Sequence, residues 1–181
     1  MVPRSRFAVV GVLLLLLGLG AAPTASAASG FAAQARASGL SAQQSTRLQD
    51  EVDGYLARWG GRQVAPNRVE RDGAVLTVVV PGEERSRSLA GQVDHCRNGW
   101  VDFGWFCAYE REDGQGSSLA LYSCAWQHVP WLSVGSWQDN QTPGTRSTMY
   151  FVGGSSWHMP AAPSWQRYGV VWGIVTGVRN C

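Results

Sequence analysis

Four cysteines, at positions 96, 107, 124 and 181, and three histidines, at 95, 128 and 158, are the residues of this chain best suited to ligate a metal or to act as nucleophile and base. Their spacing supports neither role. There is no H-E-x-x-H pair, no C-x-x-C pair, no P-loop and no G-x-S-x-G elbow. An even number of cysteines behind an export signal implies two disulfides, Cys96, Cys107, Cys124 and Cys181 all being used. No thiol is then left for catalysis or metal. Three pairings are possible. Loop-closure estimates of about 7.0 kcal/mol for Cys96–Cys107 with Cys124–Cys181 and about 7.8 kcal/mol for the nested arrangement are too close to decide between them. The first pairing is the working assignment.

The carboxylates are no more specific. Asp94-His95 reads as polar surface at the start of a strand. Asp102, Asp139 and the group Glu110, Glu112 and Asp113 are the places to look for a glycosidase pair, but carboxylates of turns and loops are ordinarily solvated. Asp139-Asn140-Gln141-Thr142 offers carboxylate, amide and hydroxyl oxygens at a loop spacing that could suit calcium. An Asx-type turn ahead of Pro143-Gly144 accounts for the same residues. No cofactor, no metal and no catalysis are expected.

The N-terminus carries an export signal. Arg4 and Arg6 precede the apolar run Phe7 to Gly20, and Ala25-Ser26-Ala27 supplies a small-residue cleavage pattern. The run is short of the roughly 20 apolar residues of a membrane span, so the expectation is a cleaved signal peptide over 1–27 and a secreted product with no membrane association. Cleavage removes two arginines and leaves basic and acidic residues in equal number. Nucleic-acid binding, which feeds on counterion release at a basic patch, is disfavoured.

Beyond a segment 28–39 expected to be disordered, residues 40–80 read as a helix and a β-hairpin. Ser41 can cap a helix, with Gln44 in the capping-box position. Leu48, Val52, Tyr55, Leu56 and Trp59 recur on one face, and Gly60-Gly61 ends it. Gln63 to Val69 and Ala74 to Val80 read as strands around Arg71-Asp72-Gly73. Alone this part would be marginal, so it either docks on the C-terminal domain or is a pro-region. Residues 81–92, rich in Glu, Arg and Ser, have linker composition, with Arg85 to Ser88 a possible processing site.

Residues 93–181 hold all the cysteines and every tryptophan but Trp59. Short apolar stretches broken by Gly and Pro predict an all-β domain: Gly104 to Glu110 with Trp105, Cys107 and Tyr109 on one face, Leu119 to Cys124, Ser147 to Val152, and the long apolar run Tyr168 to Val178. The indoles together offer on the order of 1,200–2,000 Å². So small a domain rarely hides them all, and some are expected to line a groove or contact surface.

Cys96-Arg-Asn-Gly-Trp100, Gly104-Trp-Phe-Cys-Ala-Tyr109, a glycine turn, a strand ending at Cys124, and Gly135-Ser-Trp-Gln-Asp-Asn-Gln-Thr142 resemble bacterial secreted proteins of peptidase inhibitor family I36 over roughly residues 94–152. Cys96 and Cys107 stand further apart than that family's tight pair, and Pro143 and Gly144 replace the hydroxyl residues of its calcium motif. The resemblance implies a mainly β, disulfide-stapled, βγ-crystallin-like sandwich preceded by the helix and hairpin. It also implies an inhibitor of an extracellular metallo- or serine protease. The candidate contact loop is then Trp137, Gln138, Asp139, Asn140, Gln141, Thr142 and Arg146, with the Glu110 to Ser118 hairpin tip as a second candidate. The alternative expectation is a cell-surface or polysaccharide-binding module that uses exposed tryptophans.

Overall fold

The computed structural model describes residues 25–97 and 100–181. The expected signal peptide therefore lies almost wholly outside the described residues, as do Asn98 and Gly99 of the first cysteine motif. Among the described residues no helix is long and apolar enough to cross a membrane.

The chain is mainly β. Helix α1 (Ala25–Ala37) and helix α2 (Ala42–Trp59) come first. They are followed by β1 (Arg62–Ala65), β2 (Arg68–Arg71) and β3 (Ala74–Thr77). After the segment to Trp105 come β4 (Phe106–Tyr109), β5 (Ser118–Leu121), β6 (Trp126–Gln127) and β7 (Val134–Asp139). The chain ends in β8 (Thr148–Phe151), β9 (Ser156–His158), β10 (Ser164–Val171) and β11 (Val175–Arg179). Two antiparallel sheets result, a seven-stranded one ordered β1-β2-β3-β5-β4-β7-β10 and a four-stranded one ordered β6-β11-β8-β9.

Helix α2 forms as its sequence dictates. Ser41 Oγ accepts from Gln44 N, the Gln44 side chain accepts from Ser41 N, and Gly60 closes the last turn with φ 75°. Its buried face, Leu48, Val52, Tyr55 and Trp59, joins the main core. Segment 28–39 is not the disordered stretch its small residues led us to expect. Alanine is the strongest helix former, and α1 fills most of the segment, with Ala35 and Leu40 buried in the same core.

The division at residue 92 also fails. Strand β3 pairs with β5, Val75 opposite Ala120 and Leu76 opposite Leu119, so the N-terminal meander is one wing of the large sheet. The intervening segment 81–92 is no linker. Ser86 and Leu89 are buried, Ser86 N donates to Gly116 O at 3.1 Å, and Asn67 binds both Arg87 O and Leu89 N. The linker-like residues find fixed partners, and this removes the composition's usual consequence. The presumed first strand, Gln63 to Val69, is cut by a turn at Pro66-Asn67, where proline can donate no ladder hydrogen bond. The Asp72-Gly73 hairpin is as expected, Arg71 facing Ala74 and Gly73 at φ 80°.

One face of the large sheet carries Val69, Leu76, Leu119, Ala108 and Trp137 in a row across the strands. Met149, Val175 and Val178 of the small sheet close the core from the other side. The opposite face of the large sheet carries Val75, Ala120 and Cys107 and is covered by the segment around Cys96 and Val101. The disulfides are Cys96–Cys107 and Cys124–Cys181. The run Tyr168 to Val178 is two strands rather than one. A turn at Trp172–Ile174 passes the chain from the large sheet to the small one and shifts the inward phase from Val170 and Trp172 to Val175.

Candidate binding surface

The expected contact loop is largely strand. Phe106 and Ser164 both pair with Asp139, which carries β7 to that residue and buries Trp137 and Asp139 in the interior. Asp139 is tolerated there because Ser147 Oγ donates to its Oδ2 at 2.7 Å and the Gln141 backbone and side chain donate to its Oδ1 at 3.1 Å. Burial pushes its carboxyl up, and those donors pull against the rise. Gln138 is half-buried, and Asn140 turns inward, its Nδ2 donating to Val101 O at 2.7 Å. Only Thr142 to Gly144 and Arg146 remain exposed. Among the described residues no group of three or more His, Cys, Asp or Glu side chains could hold a metal ion.

The hairpin tip is likewise occupied with structure. Glu110 accepts from Ser117 N, Glu112 accepts from Gly169 N, and Asp113 bridges Arg85 and Arg167. The histidines stay apart. His95 Nδ1 lies 2.9 Å from Asp102 Oδ2, His128 Nδ1 lies 2.9 Å from Thr176 O, and His158 Nδ1 lies 3.0 Å from Thr148 Oγ1.

Asp94 bears on stability. Burial pushes its carboxyl up against the pull of the Cys96 N–H and the Arg68 guanidinium, and its Oδ2 has no partner among the described residues. An acid held above its unfolded value leaves the folded chain binding the extra proton, so stability falls as pH rises through that window. The melting temperature is therefore expected to climb as pH drops from neutrality toward the carboxylate range near about 4. Asp94→Asn should flatten the climb. Calorimetry across that interval giving identical slopes for both proteins would contradict this.

The indoles separate sharply. Trp131, Trp137 and Trp172 are buried, Trp105 is half-buried, and Trp100, Trp126, Trp157 and Trp165 are exposed. Two exposed rings, Tyr122 and Trp126, flank a cleft of about 690 Å³ whose other wall carries Arg62, Glu70, Arg71 and Asp72 from the meander. The cleft lies where the chain leaves β5 of the large sheet for β6 of the small one.

Several groups in it are held. The Tyr122 ring leans on Trp105 at 5.0 Å, and Trp105 is stacked on His95 at 3.7 Å. Trp126 packs against Gly177, where an added Cβ would meet the indole and come within 2.6 Å of Gln127 O. Gln127 Nε2 donates to Asp72 O at 2.6 Å and ties the two walls together. Arg71 lies over the Trp59 ring at 5.0 Å and donates to Trp59 O. Sequence reasoning had Tyr122 inside a strand and Trp126 among the indoles. Its one usable signal was two aromatics flanking Cys124 in a chain with more indoles than its core could hide.

The features define a class: a mainly β chain of two antiparallel sheets, stapled by two disulfides, with an aromatic-walled polar cleft at the seam. Comparison with known protein families, with characterised proteins and with solved structures gave no match to the chain.

Proposed function

We propose that this is a secreted, non-catalytic protein that binds an extracellular polysaccharide in the Tyr122–Trp126 cleft. What carries the reading is one observation: two pre-positioned aromatic rings, 53% and 46% exposed, face a wall of guanidinium, carboxylate and amide groups. The C–H face of a pyranose stacks on an aromatic ring, and its hydroxyls take hydrogen bonds from polar groups at the rim. Two arginines and two carboxylates offset one another, which favours an uncharged chain over a polyanion. Rings already held by Trp105 and Gly177 lose little freedom on binding.

The mature protein is expected to sediment with insoluble cellulose or chitin. Tyr122→Ala with Trp126→Ala should weaken retention about a hundredfold, the loss of two good aromatic contacts. Wild-type protein left in the supernatant of every glycan, or a double variant retained like wild type, would refute the proposal.

A second reading, inhibition of an extracellular protease, draws on the family resemblance and on the exposed turn Thr142 to Gly144. That turn is pinned by Gly144 N to Ala162 O at 3.0 Å and Ala162 N to Thr145 O at 2.8 Å. It closes on itself, Thr145 N donating to Thr142 O, whereas the strand-addition mode of peptide recognition takes an extended segment. Titration against thermolysin-like and subtilisin-like proteases separates the two readings, since stoichiometric loss of protease activity belongs to the second alone.

A further inference from the structure

Trp126 lines two depressions, not one. Besides the polar cleft it borders a groove of about 430 Å³. Two further stretches of chain line that groove, His128 to Leu132 and the pair Val175 and Thr176 with Gly173 and Val152 beside them. The stretches are fastened to each other. Trp172 N donates to Ser133 O at 2.9 Å, and Val152 N donates to Ile174 O at 2.9 Å. Gly173 permits the close approach, since a Cβ there would come within 3.2 Å of Leu132 O. The groove is thus built into the backbone.

Its chemistry differs from that of the cleft. The cleft sets two arginines and two carboxylates against its rings, whereas valine, proline, leucine and tryptophan make up most of the groove. The ring of His128 and the guanidinium of Arg58 are already placed against protein: His128 Nδ1 lies 2.9 Å from Thr176 O, and Arg58 lies over the Tyr55 ring at 5.1 Å. Little remains there to take the hydroxyls of a sugar. Leu132 and Val152 are nevertheless 86% and 68% exposed. Aliphatic side chains kept in water at a fixed groove mark a contact with something apolar.

The shared indole says what that is. A sugar stacked on Trp126 in the cleft has the groove as its adjoining apolar surface. Resting on the cleft reading above, we infer that the groove takes a hydrocarbon chain borne by the same saccharide. The ligand is then the lipid-bearing end of a neutral polysaccharide. Its sugar rings stack on Tyr122 and Trp126, and its chain covers Leu132 and Val152. A volume near the low end for small-molecule sites suits one chain rather than two.

The test is calorimetric titration of the mature protein with methyl and octyl β-glycosides of cellobiose and, separately, of chitobiose, all below the concentration at which micelles form. In one of the two series the octyl compound is expected to bind about a hundredfold tighter than the methyl compound, the equivalent of burying about three or four methylene groups. Leu132→Ser with Val152→Ser should abolish most of that gain. Both side chains are exposed, so the variant is expected to fold, and a melting curve like that of wild type would confirm it. Tyr122→Ala should weaken the methyl and octyl compounds by the same factor, because both seat their sugar in the cleft. Methyl and octyl compounds of equal affinity, or a gain that survives in the serine variant, would overturn the inference and leave the cleft reading intact. So would sedimentation equilibrium showing a dimer that the serine variant abolishes and the octyl compound does not dissociate, since a second copy would then cover the groove. Octyl binding indifferent to Tyr122→Ala, or no binding of any compound, would remove both.

Discussion

Trp172→Ala is expected to cost about 5 kcal/mol of folding stability, the upper end for truncating a buried aromatic. The indole is fully buried at the point where the chain passes from one sheet to the other. It packs 6.1 Å from the Trp131 ring, and its Nε1 donates to Tyr109 O at 2.8 Å. Gly135 exists to admit it, because a Cβ there would collide with both Trp172 Nε1 and Tyr109 O. Truncation leaves a cavity between the sheets and a buried carbonyl without its donor, and the second loss alone is worth about 1–3 kcal/mol. Trp172→Phe keeps most of the volume and should lose only about half as much. Urea denaturation of the two variants beside wild type measures both effects. A Trp172→Ala loss below about 1 kcal/mol, the scale of an ordinary surface substitution, would mean that this indole does not join the sheets.

Removing Cys124–Cys181 by paired serine substitution should lower stability by about 4 kcal/mol, because its 57-residue separation constrains the unfolded chain most. The same change at Cys96–Cys107, 11 residues apart, should cost about 3 kcal/mol. The two losses differ in kind. Cys124 sits between Tyr122 and Trp126, so the long staple also clamps one wall of the cleft to the end of β11. The Cys124→Ser, Cys181→Ser protein is therefore expected to bind glycan weakly even where it is fully folded. Denaturation midpoints and glycan sedimentation at low temperature read the two effects separately. A stability change under about 1 kcal/mol would show that the native contacts around β11 already confine the chain end.

Local rules carried the sequence reading where the physics was local. The capping box at Ser41 and Gln44, the buried stripe of α2 and the Asp72-Gly73 turn depend on residues within a few positions of one another, and each stands where it was expected. The working disulfide assignment holds as well, although loop entropy alone could not select it. What misled was polarity. Gln138 and Asp139 look like loop residues, but Ser147 and Gln141 satisfy the carboxylate and let β7 run through it. Segment 81–92 looks like a linker until Asn67 is seen to accept and donate along it. The Tyr168 to Val178 run is apolar on both faces, so no alternation marks the sheet switch inside it. The two aromatics flanking Cys124 were the cleft's one mark in the sequence, because its walls meet through Gln127 and Asp72, 55 positions apart.

Meander strand β3 finds its partner in β5, Trp59 reaches His128 across 69 positions, and Tyr55 meets Trp131 across 76. Topologies this non-local fold slowly, on the order of milliseconds to seconds. Throughout that interval the edge of β3 faces water unpaired, a template for another copy of itself. Recovery from denaturant thus becomes a race between intramolecular search and self-association, and dilution decides the winner.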